Sequence, residues 1–506
     1  MKKSIYILAV MLLASICIFA QVNGSLNQIG NKKILKVWGS NYERGYAQGY
    51  LLAPQIVEVF NDMFWTMFCY SDLPHYNALQ SYYSLHFSTP ENMFWEALGI
   101  SEGMAASGAD LYHSALGRNL DSNDILLMNA MFDLVEVRNR YWKQDNLELG
   151  CATLSSKGIA TAADSLLAGS GVITRFFDAT QNSALIDNPV MIIHHPEAEN
   201  EVKWLNITIP GFFGVITAIS ETHLFSALNI GPSSSASITD NLTPVIFSIR
   251  RGIEQYDYDA NGVHHPYDVY ESMCDGRPLN GAIVHNLAET PDYVYHSVVE
   301  TRNSATLNRI EPNGSNLPTN HLAATNHFRG LASPVCCDRY ANLQDSLYAD
   351  PYVNAKRQWR VMSGAAGLET TLSAVQFTPL TGSLLWASAT LIEPAYSQPA
   401  LSLNAYELLN EPVSNEDGIL PNPLPSISLY PNPVPKGKTL RLSSQNPLSR
   451  VELYNLKGQK IHIQHLHGAK GVIELSIPSL QLAKGVYLLK SVLGTGQARV
   501  IKLVLM

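Results

Sequence analysis

Basic residues are scarce in this chain. Its 34 Lys and Arg face 43 Asp and Glu, a formal net charge of −9, and the one basic block is Lys2-Lys3 at the extreme N-terminus. Nucleic-acid recognition needs a basic footprint, so no such partner is expected. Charge of either sign is low, at 15% of 506 positions against 46% hydrophobic, so most of the chain can bury a core and little should be disordered. After residue 20 no apolar run reaches the ~20 residues a membrane helix needs, and no internal repeat is visible. Zinc spacing is missing too. His194-His195 and His264-His265 are adjacent pairs rather than i, i+4 pairs, which leaves them as core or surface histidines.

Cysteine is sparse and oddly counted. Of six, Cys17 lies in the apolar run from Ile5 to Ala20 behind Lys2 and Lys3, which reads as a secretory signal peptide over residues 1–20. Cys69, Cys151, Cys274, Cys336 and Cys337 remain. An odd number is unusual in an exported protein, where spare thiols pair. Either one has a chemical task, or all stay reduced and buried.

The length suggests two or three domains. Residues 21–150 read as helical. Ile56, Val57, Val59, Phe60, Met63, Phe64 and Met67 recur at near-helical spacing, and residues 124–137 repeat the pattern. From Cys151 the texture turns to β-rich runs at 166–174, 190–194, 204–209, 215–219 and 224–229. Helical segments follow at 245–255 and 267–273, then strands at 281–287 and 293–299. That order predicts an α+β core over 151–410 built on stacked antiparallel sheets. Residues 411–425 have the Asn, Pro and Ser content of a linker. Residues 426–506 carry six β-runs separated by turns such as Lys484-Gly485, predicting a small all-β sandwich.

Three motifs bear on chemistry. Gly99-Ile100-Ser101-Glu102-Gly103 spells the nucleophile elbow of serine hydrolases, which needs a strand before it. Here 91–98 read as helix, and small residues for close helix packing are the better account. Asp257, Asp259, Asn261 and Asp268 are spaced like the start of a calcium loop, but the last position is Asp instead of the bidentate Glu, and an exposed acidic turn explains the same letters. Cys151, in Gly150-Cys151-Ala152-Thr153, sits where helical texture becomes strand texture.

Cys151 also falls within a longer pattern. Gly39-Ser40-Asn41-Tyr42-Glu43-Arg44-Gly45, Leu127-Met128-Asn129-Ala130, Gly150-Cys151, Thr174-Arg175-Phe176-Phe177-Asp178, Ala227-Leu228-Asn229, Thr325-Asn326-His327-Phe328 and Asp338-Arg339-Tyr340 occur in that order. Over roughly residues 35–405 the chain resembles the acyl-CoA:6-aminopenicillanate acyltransferase family, which is similar to choloylglycine hydrolases. Phe176 stands where that family has Asn, and Thr174 where it has Gly. The resemblance implies an αββα four-layer N-terminal-nucleophile (Ntn) hydrolase fold, self-cleaved before Cys151. Cys151 would be the nucleophile, with Asp178 holding the new amine and Arg175 favouring the thiolate. Asn229 and Asn326 would form the oxyanion hole, and Arg339 would hold the charge geometry. No cofactor is implied. The implied substrate is a small amide, whether an N-acyl compound, a β-lactam or a bile-salt-like conjugate. Water or another amine would accept the acyl group, and self-association is left open. Two alternatives compete: a phospholipase-B-like lipid hydrolase, and a non-catalytic binding or adhesion protein on the same scaffold.

The C-terminal unit has its own resemblance. Leu429-Tyr430-Pro431-Asn432-Pro433, Val451-Glu452-Leu453-Tyr454-Asn455 and Lys484-Gly485-Val486-Tyr487-Leu488 resemble the three blocks of a type A sorting domain of type IX secretion. This implies the type IX machinery as a partner. It also implies export across both membranes of a Gram-negative bacterium, to the medium or the cell surface.

Overall fold

The computed structural model describes residues 22–142, 149–232, 241–303, 305–311 and 316–413. In the C-terminal part it describes 427–430, 434, 440–455, 459–475, 482–493 and 498–505. The expected signal peptide, and residues 414–425 of the expected linker, lie outside the described residues. The chain divides into two compact units, Asn23–Ser414 and one that contains Asn415–Met506. Among the described residues no helix is long and apolar enough to cross a membrane.

The larger unit mixes helix with two large sheets and a small two-stranded one, Tyr112–His113 with Arg118–Asn119. In spatial order the first contains β1 (Gly24–Ile29), β2 (Lys32–Gly39), β5 (Val190–Pro196), β6 (Trp204–Thr208), β7 (Thr217–Ser220), β8 (Leu224–Ile230), β9 (Ala282–Thr290), β10 (Tyr293–Arg302) and β11 (Ala305–Arg309). Only β2 and β5 pair in parallel. The second sheet contains β12 (His321–Ala324), β3 (Leu149–Ser156), β4 (Val172–Ala179), β13 (Thr371–Thr378), β14 (Ser383–Ser388) and β15 (Leu401–Asn404). Alternate residues on each strand share a face. Met191, Ile193, Leu205, Ile207, Phe225 and Leu287 of the first sheet thereby meet Ile173, Val375, Phe377, Leu384 and Trp386 of the second in one apolar cluster.

Two sequence expectations are corrected. Residues 24–39, expected within the helical part, form the β1–β2 hairpin, turned at Gly30 with φ +62°, a conformation that glycine adopts without strain. The strand expected at 166–174 begins only at Val172. Ala168 and Gly169 both have positive φ and end a turn there, so apolar composition was outweighed by backbone geometry.

The serine-elbow letters lie on α2 (Glu91–Ser107), which crosses α1 (Asn41–Val59). A methyl group on Gly45 or Gly49 would strike the α2 carbonyls of Glu96 or Ile100. One on Gly99 or Gly103 would strike the α1 carbonyls of Tyr42 or Tyr46. Four glycines therefore let two helix backbones touch, and Ser101 only donates to its own helix at Leu98 O. Gly103→Ala is expected to destabilise the fold by about 1–3 kcal/mol in a melt. Ser101→Ala, which removes only a bond within its own helix, should cost far less in the same melt.

The Glu43-Arg44-Gly45 motif is structural in the same region. Ser40 and Glu43 form a capping box at the start of α1. Arg44 is buried against Glu254, which also binds Arg250, and Arg250 in turn reaches Glu96 at 2.6 Å. Arg250 and Arg44 hold the Glu254 carboxyl well below the usual range despite its burial. Burial of one charge is tolerated because opposite charges and hydrogen bonds accompany it.

In the C-terminal unit all described strands belong to one hydrogen-bonded sheet. The 16-residue strands Leu440–Asn455 and Lys460–Leu475 pair along their length. Register shifts between Ser444 and Arg450 change the parity, so Leu440, Leu442, Val451 and Leu453 all reach the same core. The sequence reads this strand as two. The register shifts join its two halves into one strand.

Candidate active site

Strand register decides which side chains can meet Cys151. On the β3–β4 pair, Cys151 lies opposite Phe177, Thr153 opposite Arg175 and Gly150 opposite Asp178. Residues directly opposite share a face. Cys151, Thr153 and Arg175 therefore face the first sheet, on the same side as Ile173 in the apolar core. Gly150 and Asp178 point the other way, and an added Cβ at Gly150 would lie 3.2 Å from the Cβ of Asp178.

Polar groups hold both ends of Cys151. The Arg175 guanidinium lies 3.5 Å from Sγ and donates to Leu228 O at 3.0 Å. Sγ itself is 3.5 Å from Leu228 O. On the opposite edge β12 pairs with β3 only as far as Ala324 and Thr153. Beyond that point Asn326 leaves the ladder, and its Oδ1 accepts the Cys151 N–H at 3.0 Å. Arg339, in the first turn of α3 (Asp338–Ala349), bridges Asn326 Oδ1 at 2.6 Å and Asp178 Oδ2 at 2.9 Å. Thr371 donates to the other Asp178 oxygen at 2.7 Å.

Burial dominates the electrostatics. It pushes the Cys151 thiol up, with Arg175 opposing, and it pushes the Asp178 carboxyl up, with Thr371 and Arg339 opposing. With the Gly150–Cys151 peptide intact, this environment favours the neutral thiol, and proton removal requires a base.

Cys151, Arg175, Asp178, Asn326 and Arg339 are thus gathered into one cluster. Asn229 is buried next to it, its Nδ2 donating to Thr153 Oγ1 at 3.1 Å. Asn326, expected at the oxyanion, presents its oxygen to the nitrogen of residue 151 and commits Nδ2 to Ile230 O at 2.7 Å. Sequence reasoning missed Thr153 and Thr371. Thr153 carried a readable signal, since position i+2 on a strand shares the nucleophile's face. Thr371 comes from a strand almost 200 positions away and carried none.

The other candidates stand apart from this cluster. Asp257, Asp259 and Asp268 bring carboxylate oxygens within 4.8 Å of one another. Asp268 accepts the backbone N–H groups of Tyr258, Asp259 and His265, and Asn261 bonds within the same turn. His194 stacks on Trp204, and burial holds it well below its usual range. His264 is buried, and His265 caps the helix Pro266–Gly276. The five described cysteines are all free.

Residues 428–505 match the family described as the secretion system C-terminal sorting domain, so the chain carries a signal for secretion or surface display. No curated protein matches. Among solved structures the chain is similar to the Caenorhabditis elegans ortholog of N-acylethanolamine-hydrolyzing acid amidase. Identity there is 15%, with 50% of this chain and 100% of that one covered and a TM-score of 0.34. It is also similar to a cysteine-to-alanine mutant of the conjugated bile acid hydrolase from Clostridium perfringens. Identity is 8%, coverage 52% and 95%, and the TM-score 0.32.

Proposed function

We propose that this protein is an exported cysteine amidohydrolase of the N-terminal-nucleophile class, cut by its own chemistry between Gly150 and Cys151. The observation that carries the reading is the double hold on one buried residue: Asn326 Oδ1 on the nitrogen of Cys151, and Arg175 on its sulfur. The backbone N–H would need an acceptor in any buried strand, but a cysteine that only fills a core has no need of a buried guanidinium at its sulfur.

Maturation begins when Sγ attacks the Gly150 carbonyl and the thiol proton passes to the Cys151 nitrogen, breaking the C–N bond to give a thioester and a free Cys151 amine. Water then releases the Gly150 carboxylate. The new α-amine, with a pKa of about 7.7–8.0 in peptides, can take the thiol proton during attack on a substrate amide. Asn326 Oδ1 holds that amine, while Arg339 ties Asn326 to Asp178. Arg175 offsets the charge growing on sulfur, and Asn229 donates to the oxyanion, a contribution of about 3 kcal/mol. The amine leaves with the proton, and water resolves the acyl-enzyme. With an amine as acceptor the same thioester would give acyl transfer. The substrate class is a linear N-acyl amide, β-lactam or bile-salt-like conjugate.

N-terminal sequencing and intact mass of mature protein test the reading. A large fragment beginning Cys-Ala-Thr-Leu is expected, whereas an adhesion protein stays one chain. Faster hydrolysis of esters than of amides would favour the phospholipase-B-like alternative.

Export is a separate prediction. Deleting residues 426–506 should strand the enzyme in the periplasm, with lysate activity near normal, because the type IX machinery loses its signal. Loss of activity in the lysate would assign the domain a catalytic or folding role.

A further inference from the structure

Between the two sheets, beside the proposed nucleophile, a line of polar side chains runs on from Asn229 through residues with no role in the reaction as described. Asn229 Nδ2 contacts Thr153 Oγ1 at 3.1 Å, and Thr153 Oγ1 contacts His285 Nδ1 at 2.8 Å. His285 Nε2 is 2.7 Å from Ser155 Oγ, which is 2.8 Å from His296 Nδ1. His296 Nε2 ends the line 3.2 Å from Glu311 Oε2. Thr153 and Ser155 are alternate residues of β3, while Asn229, His285 and His296 come from β8, β9 and β10. The line therefore crosses the interface between the sheets. Ser155, His296 and Glu311 have the residue types of a hydrolytic triad. However, Ser155 has no solvent exposure and both its hydrogen-bonding directions are taken by histidines. It is not placed to attack a substrate.

The line has a direction. Burial holds both imidazoles below their usual range, His296 at about 4 and His285 well down, so each neutral ring has one donor and one acceptor nitrogen. Glu311 accepts from His296 and from the backbone and side-chain N–H groups of Asn320, so its carboxylate is an acceptor throughout. His296 must then carry its proton on Nε2 and accept at Nδ1 from the Ser155 hydroxyl. Ser155 accepts from His285 Nε2–H, which leaves His285 Nδ1 to accept from Thr153. The Thr153 hydroxyl proton is thereby used, and Thr153 can only accept from Asn229. Reversing the Asn229 carboxamide would reverse every link and set a bare His296 nitrogen against the Glu311 carboxylate.

We infer that this hydrogen-bonded line, anchored at Glu311, fixes the Asn229 carboxamide with its amide nitrogen on the Cys151 side of the interface, and that Thr153 and His285 are positioning residues for the oxyanion donor. This rests on the reading of Cys151 as nucleophile and Asn229 as oxyanion donor. One Nδ2 proton goes to Thr153. The second remains for the developing oxyanion, beside the residue two positions from Cys151 on the same strand face. The Asn229 Oδ1 is buried with no hydrogen-bond partner, a costly state that the polarity of the line enforces.

The test is a double-mutant cycle. Turnover of an acyl p-nitroanilide, expressed per cleaved chain bearing N-terminal cysteine, is measured for Thr153→Val, Thr153→Ser, Asn229→Ala and Thr153→Val with Asn229→Ala. Valine keeps the shape and removes the hydroxyl. It is expected to lower kcat by about 10- to 100-fold with KM unchanged, since a misaligned donor forfeits part of what its deletion would. Serine should restore kcat to within about threefold. In the Asn229→Ala background valine should add nothing, because both changes act through one group. If Thr153→Val fails to fold, Ser155→Ala breaks the line one link further out and should show the same dependence on Asn229. A harmless Thr153→Val beside a crippled Asn229→Ala would overturn the inference, as would equal losses in both backgrounds. An uncleaved, fully active wild type would instead overturn the underlying reading.

Discussion

Cys151→Ala is expected to leave a single unbroken chain with amide hydrolysis reduced by at least about 10⁴-fold, the scale seen when a nucleophile is deleted. Both effects have one cause. In the proposed mechanism the sulfur that opens a substrate is also the atom that opens the Gly150–Cys151 peptide, so its removal would abolish the reaction and the amine that serves as its base. The fold should survive. Arg175 keeps its bond to Leu228 O at 3.0 Å and Asn326 keeps the backbone N–H of residue 151, neither of which involves sulfur. The loss of one buried thiol is expected to cost about 1 kcal/mol, a shift of a few degrees in a melt. Normal cleavage in Cys151→Ala, or retained hydrolysis, would remove Cys151 from the mechanism.

What could be read in advance follows from the range of the interactions involved. The strands at 190–194, 204–209 and 224–229 were legible because compact apolar runs of that length read as buried strand, and the small residues at 99–103 signalled close helix packing without naming α1 as the partner. The β1–β2 hairpin was not, because the apolar residues of β2 pack only once Val190–Pro196 pairs with it in parallel, a contact more than 150 positions away. At the site, an ordered series of short motifs was enough to nominate six residues. It did not carry their orientation. Whether Asn326 offers oxygen or nitrogen to Cys151 depends on Ile230 O and Arg339, contacts between positions almost 100 and 13 apart. Thr371 and His285 enter only through sheet order, which one sequence does not display.

Geometry separates the two asparagines, and their alanine variants should fail differently. In the proposed mechanism Asn229→Ala removes a donor that acts as charge builds on the carbonyl oxygen. Its kcat should fall by about 100- to 1000-fold with KM little changed, and the pH dependence should keep its position. Asn326→Ala removes an acceptor from the nitrogen of residue 151. An acceptor favours the charged form of an amine, so without it the amine pKa falls. The base must be neutral to act, and the acid limb of kcat should therefore move to lower pH, by an amount read from the profile. Its plateau should also drop, since Arg339 loses one of the two groups it bridges. Asn326→Asp keeps an oxygen facing that nitrogen and adds negative charge, so its acid limb should move to higher pH. These opposite shifts require a free amine at residue 151. If the acid limb stays fixed in both Asn326 variants while Asn229→Ala is impaired as described, the titrating base is another group. The hold on the Cys151 nitrogen would then serve only to align the strand end.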